Sequence, residues 1–294
     1  MGDCLMAHPI LFIEHREKNK HTIKSTTFIP LPYLDGLVEI DLTSGDHILI
    51  YGRPKSGKTT TAINYALHLA KAKLPITVFN TETVMSGYKY SIRLLAMLMK
   101  EIANERQIFG FVINSKIIDK FILFGDELEY ENKEMNATYW EIFEAAMEVL
   151  AELDIDIYDA TNGITNVDIL ITKMNEVPNN TIVVLDQINQ ILDGSSDRVS
   201  TVLNVLQLVS QVIKEKQIVL LLVSQISTGS SSNATGELPF GGYSFVAEIN
   251  FACKPMRNGN DMVVNFSHCR ETPPFIIHYS IDPESGLILR GDIS

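Results

Sequence analysis

The chain has 294 residues, is 46% hydrophobic and 20% charged, and carries a formal net charge of −12; that balance fits one large or two modest globular domains with a sizeable core. No run approaches the ~18 uncharged apolar residues of a membrane-spanning helix, and the start, MGDCLMAHPILFIEHREKNK, is acidic where a secretory signal is basic, so the sequence predicts a cytoplasmic protein without a membrane partner. Cys4, Cys253 and Cys269 have no paired spacing, which argues against a disulfide framework and against a zinc site.

The charge is uneven. Eleven acidic residues and one basic residue, Lys133, lie between Asp126 and Asp156, so this stretch carries −10 and the remainder about −2. Most of the acidity then belongs to one solvated helical face. A nucleic-acid surface remains open elsewhere on the chain.

Residues 1–35 are weakly patterned, contain Arg16, Lys18, Lys20 and Lys24, and close on IPLPYLDG. The prolines and glycine read as an extended N-terminal arm; its basic patch is either a solvated tail or a contact for a neighbouring subunit or nucleic acid. Residues 36–294 read as a single domain. His47–Tyr51 predicts a strand and Thr60–Lys71 a helix, and between them Gly52–Thr59 (GRPKSGKT) fits G-x-x-x-x-G-K-[ST]. Strand, glycine-bearing loop and helix are the context a phosphate-binding loop requires. Gly52, Arg53, Pro54, Lys55, Ser56, Gly57, Lys58, Thr59 and Thr60 are therefore candidate nucleotide contacts. In such a loop inward backbone N–H groups and the positive end of the helix cradle phosphate oxygens. Lys58 is placed to reach the β- and γ-phosphates, and the Thr59 hydroxyl to hold Mg²⁺.

Ile76–Asn80 (ITVFN) predicts the next strand, completing a βαβ unit and implying a parallel sheet. Glu82 follows its carboxyl end, on the rim where open parallel sheets bind ligands. A carboxylate there can orient and deprotonate the water that attacks a γ-phosphate; alternatively, Glu82 caps the helix that starts near Ser86. Gly87–Glu105 and Thr138–Leu153 show helical spacing, with Met and aromatic stripes expected in the core. Ile155–Tyr158 predicts a strand, and Thr165 an N-cap for the helix beginning VDILITKM, with Asp168 completing a capping box.

Thr181–Asp186 (TIVVLD) is a continuous apolar run that ends in a carboxylate, the usual metal-side partner of a phosphate loop, so Asp186 is predicted to support Mg²⁺ through Thr59 and a water. Asp193–Ser200 is a loop before a helix reaching about Lys216. Ile218–Gln225 (IVLLLVSQ) is a third buried strand; the Gln225 amide either senses the γ-phosphate or is a satisfied strand-end group. Ser227–Gly242, rich in Ser and Gly, is a loop too long to be without a use. Beyond it the pattern predicts strands at Phe245–Lys254, Met262–His268 and Phe275–Ile281, with an Asn-Gly turn at Arg257–Asn260.

This order of motifs resembles the RecA-type ATPase core, and within it the ATPase domain of DnaB-type hexameric replicative helicases. GRPKSGKTTTAINYA is similar to that family's phosphate loop, ETVMSGYKYSIRLLA to its Leu-Glu-Met-Ser segment, and IYDATNGITNVDI, VVLDQINQI and LLVSQIS to the segments that follow. The resemblance implies an α/β RecA-like P-loop NTPase core: a mostly parallel central sheet flanked by helices, with C-terminal antiparallel hairpins. It also implies ATP and Mg²⁺ as cofactors, Glu82 as catalytic base, single-stranded DNA as partner and a homo-oligomeric hexameric ring or filament. Contacts to primase, a loader or other replication proteins belong to the same expectation. In SHCRETPP (267–274) Arg270 matches the family's trans-acting Arg, and His268 stands where its Lys would be. A neutral imidazole there stabilises transition-state charge less, so trans-activation by His268 is expected to be weaker or pH-dependent. The helical domain that precedes the family's core is not matched, and residues 1–35 are too short to replace it. GGYSFVAEINF and RNGND also resemble RecA/RadA recombinases. Two rival readings remain: a recombinase or accessory filament ATPase, and a nucleotide-gated regulatory or assembly ATPase with a protein partner on the acidic face.

Overall fold

The computed structural model describes residues 29–30, 39–40, 45–124, 133–194, 197–226, 246, 249–269 and 273–293. Two short strands, β1 (Ile29–Pro30) and β2 (Glu39–Ile40), pair antiparallel by themselves. The other nine form one sheet in the order β11-β10-β9-β8-β3-β7-β6-β4-β5. These strands are β3 (His47–Gly52), β4 (Ile76–Asn80), β5 (Ile155–Asp159), β6 (Ile182–Asp186), β7 (Val219–Gln225), β8 (Phe251–Asn258), β9 (Asp261–Cys269), β10 (Phe275–Ile281) and β11 (Ile288–Ile293). Neighbours from β5 to β8 run parallel, and β8 to β11 antiparallel. This mostly parallel sheet with C-terminal hairpins is the expected RecA-like architecture.

The central strands read as unbroken apolar runs because both faces are covered. Ile182 and Val184 of β6 and Val219, Leu221 and Val223 of β7 enter one core, while Val183, Leu185, Leu220 and Leu222 enter the other. The first core is capped by α1 (Lys58–Lys71), α2 (Gly87–Glu105), α3 (Ser115–Phe124) and α4 (Lys133–Glu152); the second is capped by α5 (Val167–Glu176) and α6 (Arg198–Lys216). At about 1.5–3 kcal/mol for each fully buried large aliphatic side chain, the alternation commits every strand to one register, since a one-residue slip would exchange the two cores.

Several boundaries differ from the sequence reading. The cap of α5 is Asn166, whose Oδ1 accepts from the N–H of Asp168 (2.9 Å) and of Ile169 (3.2 Å); Thr165, the predicted cap, lies one residue outside. The cap of α2 is Ser86, accepting from Lys89 N, so Glu82 does not cap that helix. Helix α3 and edge strand β11 were not anticipated. On α4, Tyr139 and Ile142 are buried and Trp140 and Phe143 half-buried against Phe121, whereas Met147 is exposed. Glu141, Glu144, Glu148 and Glu152 are exposed, in line with a solvated acidic face. The arm apart from β1, the Ser227–Gly242 loop and Arg270 lie outside the described residues. Among the described residues no helix is long and apolar enough to cross a membrane.

Candidate active site

The sheet register brings the sequence-predicted groups to one edge. Gly52 pairs with Gln225, Asn80 with Asp186, and Asp186 with Val223, so the carboxyl ends of β3, β7, β6 and β4 lie side by side. Open parallel sheets bind ligands at this edge. A cleft of about 380 Å³ opens there, lined by Pro54, Lys55, Gly57, Lys58, Thr59, Thr60, Glu82, Arg93, Gln187, Gln225 and Arg257.

The loop between β3 and α1 is fixed by its glycines. A Cβ on Gly52 would sit 2.5 Å from Ser56 Oγ, and Gly57 has φ +99°, a conformation side-chain-bearing residues avoid. Gly57 occupies the N-cap position of α1 with no side-chain cap, which leaves the first-turn amides of the helix available to an anion. Lys58 is only 5% exposed, and its Nζ donates to the Arg53 carbonyl at 2.9 Å. Burial lowers its pKa, against the opposing attraction of Asp186 and Glu82.

Asp186 ends β6 fully buried, and neither carboxylate oxygen has a partner with hydrogen-bond geometry. Burial first, and then the Glu82 charge, push its pKa from 3.8 to about 7; the Thr59 hydroxyl and the Lys58 and Arg93 cations hold it down only in part. A buried carboxylate compensated only in part is costly. Beside a threonine hydroxyl and a loop of uncapped amides, it matches what Mg²⁺ and a nucleotide's phosphates would satisfy. The residues present therefore fit both groups, with Thr59 and Asp186 on the metal side and 52–60 on the phosphates.

Glu82 is held by its neighbours. Its backbone N–H donates to Asn80 Oδ1 (3.3 Å), Asn80 Nδ2 donates to the Met85 carbonyl, and Gln187 Nε2 donates to Glu82 Oε1. Thr81 clamps the adjoining cis Asp186–Gln187 peptide: its N–H donates to the Asp186 carbonyl at 2.7 Å, and its hydroxyl accepts from Gln187 N at 2.8 Å. The candidate base and the metal-side carboxylate are thus braced by one short network. Gln225 lines the cleft, its N–H bonded to Asn189 Oδ1 at 2.8 Å. His268 lies on β9 away from this cleft, half-buried, with Nε2 3.2 Å from the Ile249 carbonyl.

Three lining residues escaped the sequence reading: Arg93, Gln187 and Arg257. Arg257 stands just before the Asn-Gly turn of the β8–β9 hairpin. Its backbone N–H donates to the Ser56 carbonyl (3.2 Å) and its guanidinium to the carbonyls of Gly259 and Pro283. The Asn-Gly turn marked the hairpin, but nothing in the pattern placed its tip against the phosphate loop. Arg93 lies two turns into α2, where the amphipathic pattern gave only a helix face.

A nucleotide-sized cleft at the carboxyl edge of a parallel sheet, with this loop, Glu82 and Asp186 on its rim, defines a RecA-like P-loop ATPase domain. A family model for the DnaB-like helicase C terminal domain matches residues 31–237, and the chain belongs to that family. Among curated proteins none matches the sequence. Of solved structures, one of an ATPase domain superposes with a TM-score of 0.71 at 15% identity, covering 98% of this chain and 99% of that one. A DnaB-like replicative helicase, described with its interactions with primase, gives 0.70 at 15%, covering 98% and 68%. The RadB recombinase gives 0.50 at 14%, covering 83% and 90%. At these identities the likeness is one of fold.

Proposed function

We propose that this chain is the motor of a DNA helicase: it hydrolyses ATP between subunits of a ring or filament and moves on single-stranded DNA. The observation that carries this reading is that Glu82, held by Gln187, and the fully buried carboxylate of Asp186 share one rim close enough for the charge of one to raise the pKa of the other, in a domain of the DnaB-like family. Lys58 and the 52–60 backbone would bind the phosphates. Thr59 and Asp186 would hold Mg²⁺, which when bound neutralises charge on the β- and γ-phosphates. Glu82, fixed by Gln187, orients the attacking water and accepts its proton. Gln225 reads the γ-phosphate.

Charge developing in the transition state needs a cation at its far side. Arg270 of the neighbouring subunit is assigned this role, with His268 as a weaker companion. Arg257 lines the cleft of its own chain and is the rival for the same work. Loops around Arg198 and at Ser227–Gly242 would face the DNA. They are poor in Lys and Arg, so backbone N–H and hydroxyl contacts to phosphate dominate.

The test is ATP turnover of the wild type with and without single-stranded DNA, run beside fork-unwinding and strand-exchange assays. Stimulation together with unwinding is expected. Strand exchange without unwinding would favour a recombinase, and indifference to DNA would favour a regulatory ATPase.

A further inference from the structure

Immediately beyond Asp186 the chain makes a short 3₁₀ turn, Ile188–Gln190, whose N-cap residue Gln187 offers no side-chain cap. Asn189 sits in the middle of this turn and reaches across to β7. Its Oδ1 accepts from two donors on that strand, the Gln225 N–H at 2.8 Å and the Ser224 hydroxyl at 3.1 Å. The Gln225 N–H can only donate, so the amide oxygen must face it. The Asn189 Nδ2 is then a buried donor without a partner. No described neighbour takes up this donor, so what the side chain contributes here is its acceptor oxygen.

The rest of the neighbourhood connects this amide to both ends of the site. One residue past Gln225, the Ile226 N–H donates to the Gly52 carbonyl at 3.2 Å, at the mouth of the phosphate loop. In the other direction, the Asn189 carbonyl accepts from Arg198 Nη1 at 3.2 Å, at the head of α6. Arg198 is exposed, and Asp197 beside it caps α6 through the N–H groups of Val199 and Ser200. A single side chain and its own carbonyl thus span Asp186's strand, Gln225 in the nucleotide cleft, and the first residue of α6.

We propose that Asn189 is a positioning residue: it fixes the end of β7 so that Gln225 meets the γ-phosphate, and it ties that strand end to Arg198. The second half rests on the reading that the surface around Arg198 faces single-stranded DNA. A nucleotide-dependent shift of Gln225 moves the Asn189 amide, and with it the anchor of the Arg198 guanidinium. In this arrangement ATP binding itself depends on the phosphate loop and not on Asn189.

The test compares Asn189→Leu, which has no acceptor, with Asn189→Asp, which keeps the acceptor and removes the orphan donor, and with Gln225→Ala alone and combined with Asn189→Leu. Asn189→Leu is expected to lower kcat about tenfold with KM for ATP changed less than twofold, and to abolish the stimulation by single-stranded DNA that the wild type shows. Asn189→Asp should restore most of both. The double variant should match Gln225→Ala, because the two act as one unit. Additive losses, a raised KM with kcat intact, or a failure of Asn189→Asp to rescue while it melts at the wild-type temperature would each overturn the proposal. A wild type without DNA stimulation would instead refute the reading of the Arg198 surface. The kcat comparison and the double variant would still decide the Gln225 half.

Discussion

The two ends of the nine-stranded sheet treat polar groups in opposite ways. Toward the parallel end, the rim of β3, β6 and β7 holds Ser56, Asp186, Gln187 and Asn189 with buried polar atoms that lack partners, and no such atom falls on β8–β11 among the described residues. The antiparallel end is built for packing: Phe266 stacks on Phe275 with ring centroids 4.5 Å apart, and Met262, Val264, Ile277 and Tyr279 are buried on alternating positions. Buried groups without partners cost stability; Tyr90 and Thr181 carry one each elsewhere, but the run of four neighbouring residues at this rim is where a ligand would complete the molecule. The hairpin end supplies shape instead. Arg257 and Met262 close against the phosphate loop, with a Gly57 Cβ position only 3.2 Å from Met262 Sδ.

That contrast is broken most directly at Glu82. Glu82→Gln keeps the size of the side chain and removes its basicity, so turnover should fall about 10³-fold while MgATP affinity, measured with a fluorescent analogue, stays within about threefold. Comparable loss of binding and turnover would return Glu82 to a structural role.

A smaller effect tests whether the rim is strained without ligand. The folded-state pKa of Asp186 lies above its ordinary 3.8, at about 7, so the folded protein binds more protons than the unfolded chain between those values. Its stability contribution is fully present below pH ~4 and is lost as pH rises through about 7. In the absence of nucleotide, Asp186→Asn should therefore be more stable than the wild type at pH 8, on the order of 2 kcal/mol, and the gap should close toward pH 5. Thermal melts across that range measure it. A wild type that gains on the variant as pH rises would contradict the assignment. With MgATP present the order should invert, because the metal needs the ionised carboxylate.

The smallest effect concerns packing away from the site. Asn166→Ala should cost about 1 kcal/mol in denaturant melts and Thr165→Ala only a few tenths; the reverse ranking would restore the capping box centred on Thr165.

How much of this was legible in the sequence follows the same division. The parallel strands could be read because burial on both faces makes them unbroken apolar runs, as in TIVVLD and IVLLLVSQ, and the loop at 52–59 could be read because its glycines and lysine are chemically obligatory. Glu82 and Asp186 were placed by lying at strand ends, and the register of β4 and β6 put those ends together. Gln187, Arg93 and Arg257 were not legible, since each owes its position to packing between distant elements and not to local pattern. The residue capping α5 was misread because Thr165 and Asn166 are both good caps, and only backbone geometry decides which oxygen reaches the first amides. Edge strand β11 was missed because ILRGDI carries Arg, Gly and Asp, as edge strands do. Arg270 and His268 came from family likeness, and of the two only His268 lies within the described residues, bonded to its own chain's backbone.

The central claim is that the rim around Lys58, Glu82 and Asp186 is one half of an active site, completed by a neighbouring subunit. ATP turnover per subunit, followed by dilution through the concentration at which the assembly dissociates, tests it most directly, with Arg270→Ala at high concentration alongside. The account predicts that turnover per subunit falls at least tenfold on dissociation while ATP binding persists, and that undiluted Arg270→Ala resembles the diluted wild type. Turnover that stays constant across dissociation would contradict it and place the whole of catalysis, including its cation, within a single chain.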